Sequence, residues 1–121
     1  MNTYNKVIEY LESYQKLKYD IIKYEHLKEG IKAISYSQEE KGTVMVKDML
    51  LGYIEKIEEL KAKQLEVVQF VEKNFKDIEG VIISDRYING MTLKEIGKNI
   101  GYTNSHVRKM IDKAIYRYLS K

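Results

Sequence analysis

The sequence predicts an all-α protein with a long N-terminal helical hairpin of coiled-coil-like character, followed by a C-terminal three-helix unit that contains a helix-turn-helix. Three observations predict this class. Apolar residues recur at spacings of three and four along most of the chain. The 121 residues include no proline, so nothing except glycine interrupts long helices. Residues 92–119 carry start and stop signals for two shorter helices. We place the boundary between residues 1–75 and residues 76–121.

The first predicted helix covers residues 3 to about 34. Its apolar stripe begins at Tyr4 and Val7 and continues, with a drift in phase, to Ile34. A helix of about 30 residues is roughly 45 Å long. Because helix propensity alone does not stabilise such an element in water, its stripe has to pack on a partner. Residues 35–43 lose the apolar period and predict a loop.

The second predicted helix, residues 44 to about 75, has a more regular heptad pattern. Gln64 is the single polar residue in its seam, either as a device that sets register or as an ordinary half-exposed position, and the second interpretation is simpler. Gly52 costs about 1 kcal/mol relative to alanine and indicates a close helix approach or a bend. The seam residues are Val46, Leu50, Tyr53, Ile57, Leu60, Gln64, Val67 and Val71.

Two apolar stripes of similar length, joined by a short loop, favour an antiparallel hairpin within one chain. The same stripes could instead build a homodimer, and a hairpin that then dimerises is a third arrangement. The sequence leaves all three open. The many tyrosines at stripe positions are typical of core or interface residues, and less of a stacking platform for single-stranded nucleic acid.

Residues 77–89 predict the first helix of the C-terminal unit, with Asp77 as its cap. The run from Val81 to Ser84 could also form a short strand, because it is apolar and β-branched. The motif that follows favours a helix. Asn89 and Gly90 then form a turn signal that ends it.

The stretch from residue 92 to residue 119 has the pattern of two helices joined by a tight turn. Thr92 and Glu95 form a capping box that begins the first helix. Gly97 is small enough for close helix packing, and Gly101 suits a left-handed turn residue. Thr103 can cap the second helix. The buried face of that helix is predicted to contain Val107, Met110, Ile111, Ala114, Ile115 and Tyr118.

Positive charge is concentrated in this C-terminal part. Residues 81–121 have a net charge of +5, whereas residues 1–80 have −2. A basic helix-turn-helix is suited to a polyanion, and duplex DNA is the expected partner. The chain lacks cysteine and the sequence indicates no cofactor, no metal site, no signal peptide and no membrane helix. We therefore expect a cytoplasmic protein.

The second helix of the motif would present its N-terminal turns to the major groove. The side chains predicted to contact bases are Asn104, Ser105, Arg108 and Lys109, with Asp112 also pointing away from the core. A different set lies where the DNA backbone would pass, and these residues position the protein without reading sequence. The predicted phosphate contacts are Thr92, Lys94, Thr103, Lys113 and Arg117.

Residues 92–118 resemble the part of the primary bacterial sigma factors that reads the promoter −35 element. The shared pattern is T-L-x-E-I-G at residues 92–97, Thr103, V-R-x-M at residues 107–110 and K-A-I at residues 113–115. The resemblance implies duplex DNA as ligand and bacterial RNA polymerase as a possible partner. This chain has Asn104 and Ser105 where those factors carry Arg and Glu, which argues against recognition of the standard −35 hexamer.

The whole chain also resembles small phage late-transcription regulators of the RinA/ArpU type, in its length, in the order of its parts and in the stretch R-Y-I-N-G-M-T-L-K-E-I-G at residues 86–97. That resemblance implies a sequence-specific transcription regulator, specifically an activator of phage or prophage late genes. Two alternatives stay open. One is a protein-interaction module that binds RNA polymerase or a sigma-like partner. The other is a small terminase subunit, although those place the DNA-binding helices first. No nucleophile, phosphate-loop or H-x-x-x-H motif indicates an enzyme.

Overall fold

The computed structural model describes residues 2–37 and 43–121, and within these residues its regular elements are all helices, without strands. The all-α prediction, with long N-terminal helices and a C-terminal helix-turn-helix, is confirmed. A π-helical segment, Ser84–Ile88, directly follows the third helix. The five α-helices are α1 (Tyr4–Ser37), α2 (Thr43–Asn74), α3 (Asp77–Ile83), α4 (Leu93–Ile100) and α5 (Asn104–Leu119).

The packing divides the chain into two compact units, and both long helices contribute to each of them. The first unit contains residues 1–15 and 65–121, and the second contains residues 16–64. This grouping differs from a division after residue 75, because the beginning of α1 and the end of α2 pack with the C-terminal helices. That residues 76–121 alone carry the DNA-binding function stays a prediction.

The core of the first unit combines the long helices with the three short ones. Val7 and Leu11 of α1 are fully buried, and they belong to the same apolar cluster as the buried residues of the helix-turn-helix. Phe70 of α2 forms edge-on ring contacts with Tyr10 and Tyr118, at centroid distances of 5.1 and 5.2 Å. The cluster also contains Val71, Phe75, Ile82, Ile83, Ile96, Val107, Ile111, Ala114 and Ile115.

In the second unit, α1 and α2 pack on each other within one chain. The rings of Tyr24 and Tyr53 lie 5.9 Å apart. Ile57 and Leu60 of the α2 seam are buried, and Gln64 is half-buried. Among the described residues, no side chain lies within 4 Å of the position that a Cβ at Gly52 would occupy, so this glycine does not mark a close approach to a described helix.

Several predicted details change in the structure. Residues 35–37 belong to α1 and Thr43 begins α2, while the remaining predicted loop residues, 38–42, lie outside the described residues. The predicted single helix over residues 77–89 is α3 followed by the π-helical segment, in which the N–H of Asn89 donates to the carbonyl of Ser84 at 2.9 Å. Val81, Ile82 and Ile83 are helical, so the strand alternative was wrong.

Asp77 is the first residue of α3 and not its cap, so that prediction was wrong. Its backbone has a φ of 56°, in the left-handed region, and Lys76 occupies the cap position without a side-chain hydrogen bond that caps α3. A Cβ at Gly80 would lie 2.6 Å from the carbonyl oxygen of Phe75. Aspartate tolerates the left-handed region better than most residues, and the glycine leaves room for the tight connection.

Candidate nucleic-acid interface

The first helix of the motif, α4, begins with the predicted capping box. The hydroxyl oxygen of Thr92 accepts from the N–H of Glu95, and the carboxylate of Glu95 accepts from the N–H of Thr92, both at 3.1 Å. The hydrogen bond from the Thr92 backbone lowers the pKa of Glu95 below its ordinary value. The capping box therefore stabilises the start of α4 at neutral pH. This stabilisation is lost as the pH falls through the lowered pKa of Glu95.

The turn between α4 and α5 depends on two glycines. Gly101 has a φ of 81°, in the left-handed region. The carbonyl of Gly97 accepts from the N–H groups of both Gly101 and Tyr102, at 2.8 Å each. A Cβ at Gly97 would lie 2.3 Å from the carbonyl oxygen of Tyr102, which is too close for any side chain. The absence of a side chain at Gly97 is therefore a condition for this turn.

We expect Gly97→Ala to lower the free energy of unfolding by about 1–3 kcal/mol, because backbone has to shift to relieve the overlap. Gly52→Ala is the matched control. That helical glycine has open space around it, so alanine there should raise the free energy of unfolding by about 1 kcal/mol. Urea unfolding of both variants measures the difference. Equal effects of the two substitutions would contradict the packing role of Gly97.

Thr103 caps the N-terminus of α5, as predicted. Its hydroxyl oxygen accepts from the N–H of His106 at 3.2 Å. The exposed ring of His106 lies against the exposed ring of Tyr102, with centroids 4.4 Å apart. The opposite side of the helix is held by the core, through the buried residues Val107, Ile111, Ala114 and Ile115. The cap and the core contacts together fix which side of α5 faces solvent.

All four predicted base-contact residues are exposed on the first two turns of α5: Asn104, Ser105, Arg108 and Lys109. Neither Arg108 nor Lys109 forms an ion pair with any acidic residue in the part of the chain that the structure describes. Residues at these spacings share one side of a helix. The structure therefore brings two cations and two small polar groups together on one solvent-facing surface.

All five predicted phosphate contacts are exposed, and within the described residues only Arg117 forms an ion pair. The hydroxyls of Thr92 and Thr103 accept hydrogen bonds in their caps but retain a hydrogen that can be donated. Lys94 and Lys113 are exposed. Arg117 differs, because its guanidinium holds the carboxylate of Glu79 on α3 through two N–O contacts of 2.6 Å. A phosphate would have to compete with this two-point ion pair.

The prediction that Asp112 points away from the core was wrong. Asp112 is half-buried, and its carboxylate accepts a hydrogen bond from the hydroxyl of Tyr4 on α1. The Tyr4 ring stacks on Tyr116 with centroids 5.2 Å apart. Burial and the hydrogen bond to Asp112 raise the pKa of Tyr4 well above its ordinary value. No sequence pattern could pair Tyr4 with Asp112, because 108 residues separate them.

A small surface notch beside α5 is lined by charged side chains that the sequence pattern did not place together. It is lined by Tyr4, Ile8, Arg86, Tyr87, Leu93, Arg108, Ile111 and Asp112. Arg86 donates to the carbonyl of Met91 at 3.1 Å, which braces the segment before α4. Burial raises the pKa of Tyr87, while the charge of Arg86 acts to lower it. On α1, the side-chain amide of Gln15 donates to the carbonyl of Ile88 at 2.8 Å.

Comparison with known proteins identifies this part of the chain. Residues 75–117 match the family model described as Sigma-70, region 4. These residues, which include α3, α4 and most of α5, are therefore similar to sigma region 4, a DNA-binding helix-turn-helix domain connected with transcription. Comparison of the chain with curated proteins and with solved structures gave no match. Within the described residues, no helix has the length and apolar character needed to span a bilayer.

Proposed function

We propose that the protein is a sequence-specific regulator of transcription that binds double-stranded DNA and inserts α5 into the major groove. The observation that carries the proposal is the exposed surface at the start of α5. Arg108 and Lys109 are cations that pair with no acidic residue among those that the structure describes, and Asn104 and Ser105 lie beside them. Arginine or lysine pairs with guanine and asparagine with adenine. A helix capped and held by its buried face presents these groups in a fixed geometry.

The phosphate contacts are proposed to come from the ends of both motif helices. Thr92 and Lys94 would contact one stretch of backbone, and Thr103 and Lys113 another. The Glu79 ion pair makes Arg117 the weakest member of the predicted set, because its guanidinium already donates one hydrogen bond to that carboxylate and its charge is already paired. Such contacts give affinity that falls with salt, whereas the groove contacts give sequence preference.

The finer identity is proposed by analogy. A chain with this helix-turn-helix after two long helices fits a phage or prophage late-gene activator of the RinA/ArpU type, acting in the cytoplasm of the bacterial host. The long helices would then join two copies as a homodimer or hold RNA polymerase. Exposed apolar residues on both long helices, such as Tyr19 and Leu51, support an additional contact of this kind.

Selection from a pool of random duplex DNA, at about 150 mM salt, tests the proposal. We expect a short motif to be enriched over several rounds, and a twofold-symmetric motif would indicate a dimer. Binding without any enriched motif, with affinity that falls steeply with salt, would contradict sequence-specific recognition. Such a result would mean that the protein contacts only the phosphate groups of the DNA.

A protein-interaction module is the second candidate, and one feature of α3 favours it. Ile78 and Val81 are 45% and 50% exposed, respectively, although the same short helix buries Ile82 and Ile83. Ile78 also lines a groove with His106, Lys109 and Met110. An exposed apolar surface is typical of a docking site. Retention of bacterial RNA polymerase by the protein in the absence of DNA, lost in Ile78→Asp with Val81→Asp, would support this function.

A small terminase subunit would instead be indicated by a ring-sized oligomer in solution.

A further inference from the structure

Arg108 and Asp112 lie four residues apart on α5, where helical side chains of opposite charge can meet. Both line the notch beside α5, so they share one small surface. Nevertheless, the Arg108 guanidinium forms no ion pair in the part of the chain that the structure describes. The Asp112 carboxylate accepts instead from the hydroxyl of Tyr4.

Tyr4 is well placed to hold the carboxylate. Its ring is fixed by a near-parallel stack on Tyr116, with an interplanar angle of 24°. Val7, one turn along α1, is fully buried in the core cluster and anchors that end of the helix. The hydroxyl therefore meets Asp112 from a rigid element, at little further cost in side-chain entropy.

We propose that the Tyr4 hydroxyl is a positioning group for DNA recognition, because by holding the Asp112 carboxylate it leaves the Arg108 guanidinium free for DNA. The inference rests on the proposed function. Without the hydroxyl, the carboxylate can pair with Arg108 across one helical turn, and that pair has to be broken when Arg108 enters the groove. The beginning of α1 thereby sets the DNA affinity of a helix far away in sequence.

Tyr4→Phe tests the inference, because it removes the hydroxyl and retains the ring that stacks on Tyr116. The probe is the duplex enriched from the random pool. We expect its Kd to rise about threefold, as the breaking of an exposed ion pair implies. Tyr10→Phe is the matched control. It also removes one tyrosine hydroxyl in the same helix, but its ring packs on Phe70, so the Kd should not change.

A double-mutant cycle separates positioning from a merely structural role. Asp112→Asn should improve affinity about threefold more in the Tyr4→Phe background than in the unmodified chain, because only there is the carboxylate released onto Arg108. In the Arg108→Ala background, Tyr4→Phe should have no further effect on Kd. All binding is measured well below the unfolding midpoint of each variant.

The outcomes discriminate between the two proposals. An unchanged Kd in Tyr4→Phe, or equal weakening with and without Arg108, would overturn the positioning role and leave the DNA-binding function intact. Equal gains from Asp112→Asn in both backgrounds would overturn it as well. If Arg108→Ala itself leaves the Kd unchanged, the proposed groove contact fails, whatever Tyr4 does.

Discussion

Leu11→Ala, at a position 81 residues before Thr92 at the start of the helix-turn-helix, is expected to destabilise the DNA-binding unit by about 2–5 kcal/mol. Leu11 is completely buried, and its neighbours in the apolar cluster include Ile83, Ile96 and Ile115. Removing the side chain loses its transfer free energy and leaves a cavity between elements that cannot fully close. Because small domains are stable by only about 5–15 kcal/mol, this loss is a large fraction of the total.

Urea unfolding followed by circular dichroism measures the effect, with DNA binding recorded over a temperature series. The variant should bind DNA normally in the cold and lose binding several degrees below the unmodified protein. Leu65→Ala is the matched control, since that leucine is 54% exposed on α2 and belongs to the same unit. A loss in Leu11→Ala no larger than in Leu65→Ala would show that α1 is dispensable for the stability of the helix-turn-helix.

The double substitution Arg108→Ala with Lys109→Ala is expected to abolish sequence-specific binding. Each well-made base contact contributes about 1–3 kcal/mol of discrimination, so loss of two should weaken binding to the selected site by at least about thirtyfold. Both residues are exposed and outside the buried face of α5, so the fold should be retained. Residual binding should resemble that of unrelated DNA and decrease with salt.

Competition between the selected duplex and a scrambled duplex measures the specificity ratio directly. Lys18→Ala with Lys47→Ala is the control for net charge, because it also removes two exposed cations, from the long helices. That variant should keep the ratio and change affinity only slightly. If the α5 variant lost affinity equally for both duplexes, Arg108 and Lys109 would be phosphate contacts and the groove assignment would be wrong.

The sequence by itself determined the elements whose signals are local. The capping box of Thr92 and Glu95, the left-handed turn at Gly101 and the cap at Thr103 depend on residues within a few positions of each other. The buried face of α5 follows from helical periodicity in the same way. For Gly97, the sequence indicated close packing. The structure shows that the carbonyl oxygen of Tyr102 occupies the space that a side chain at residue 97 would need.

The tertiary structure decided which distant residues meet. The placement of Leu11 in the core of the helix-turn-helix, the hydrogen bond from Tyr4 to Asp112 and the ion pair of Arg117 with Glu79 join residues 38 or more positions apart. The left-handed backbone of Asp77 and the π-helical segment were likewise not predicted from the sequence. Periodicity reports which face of a helix is apolar, but not which partner covers it, because apolar burial has no directional preference.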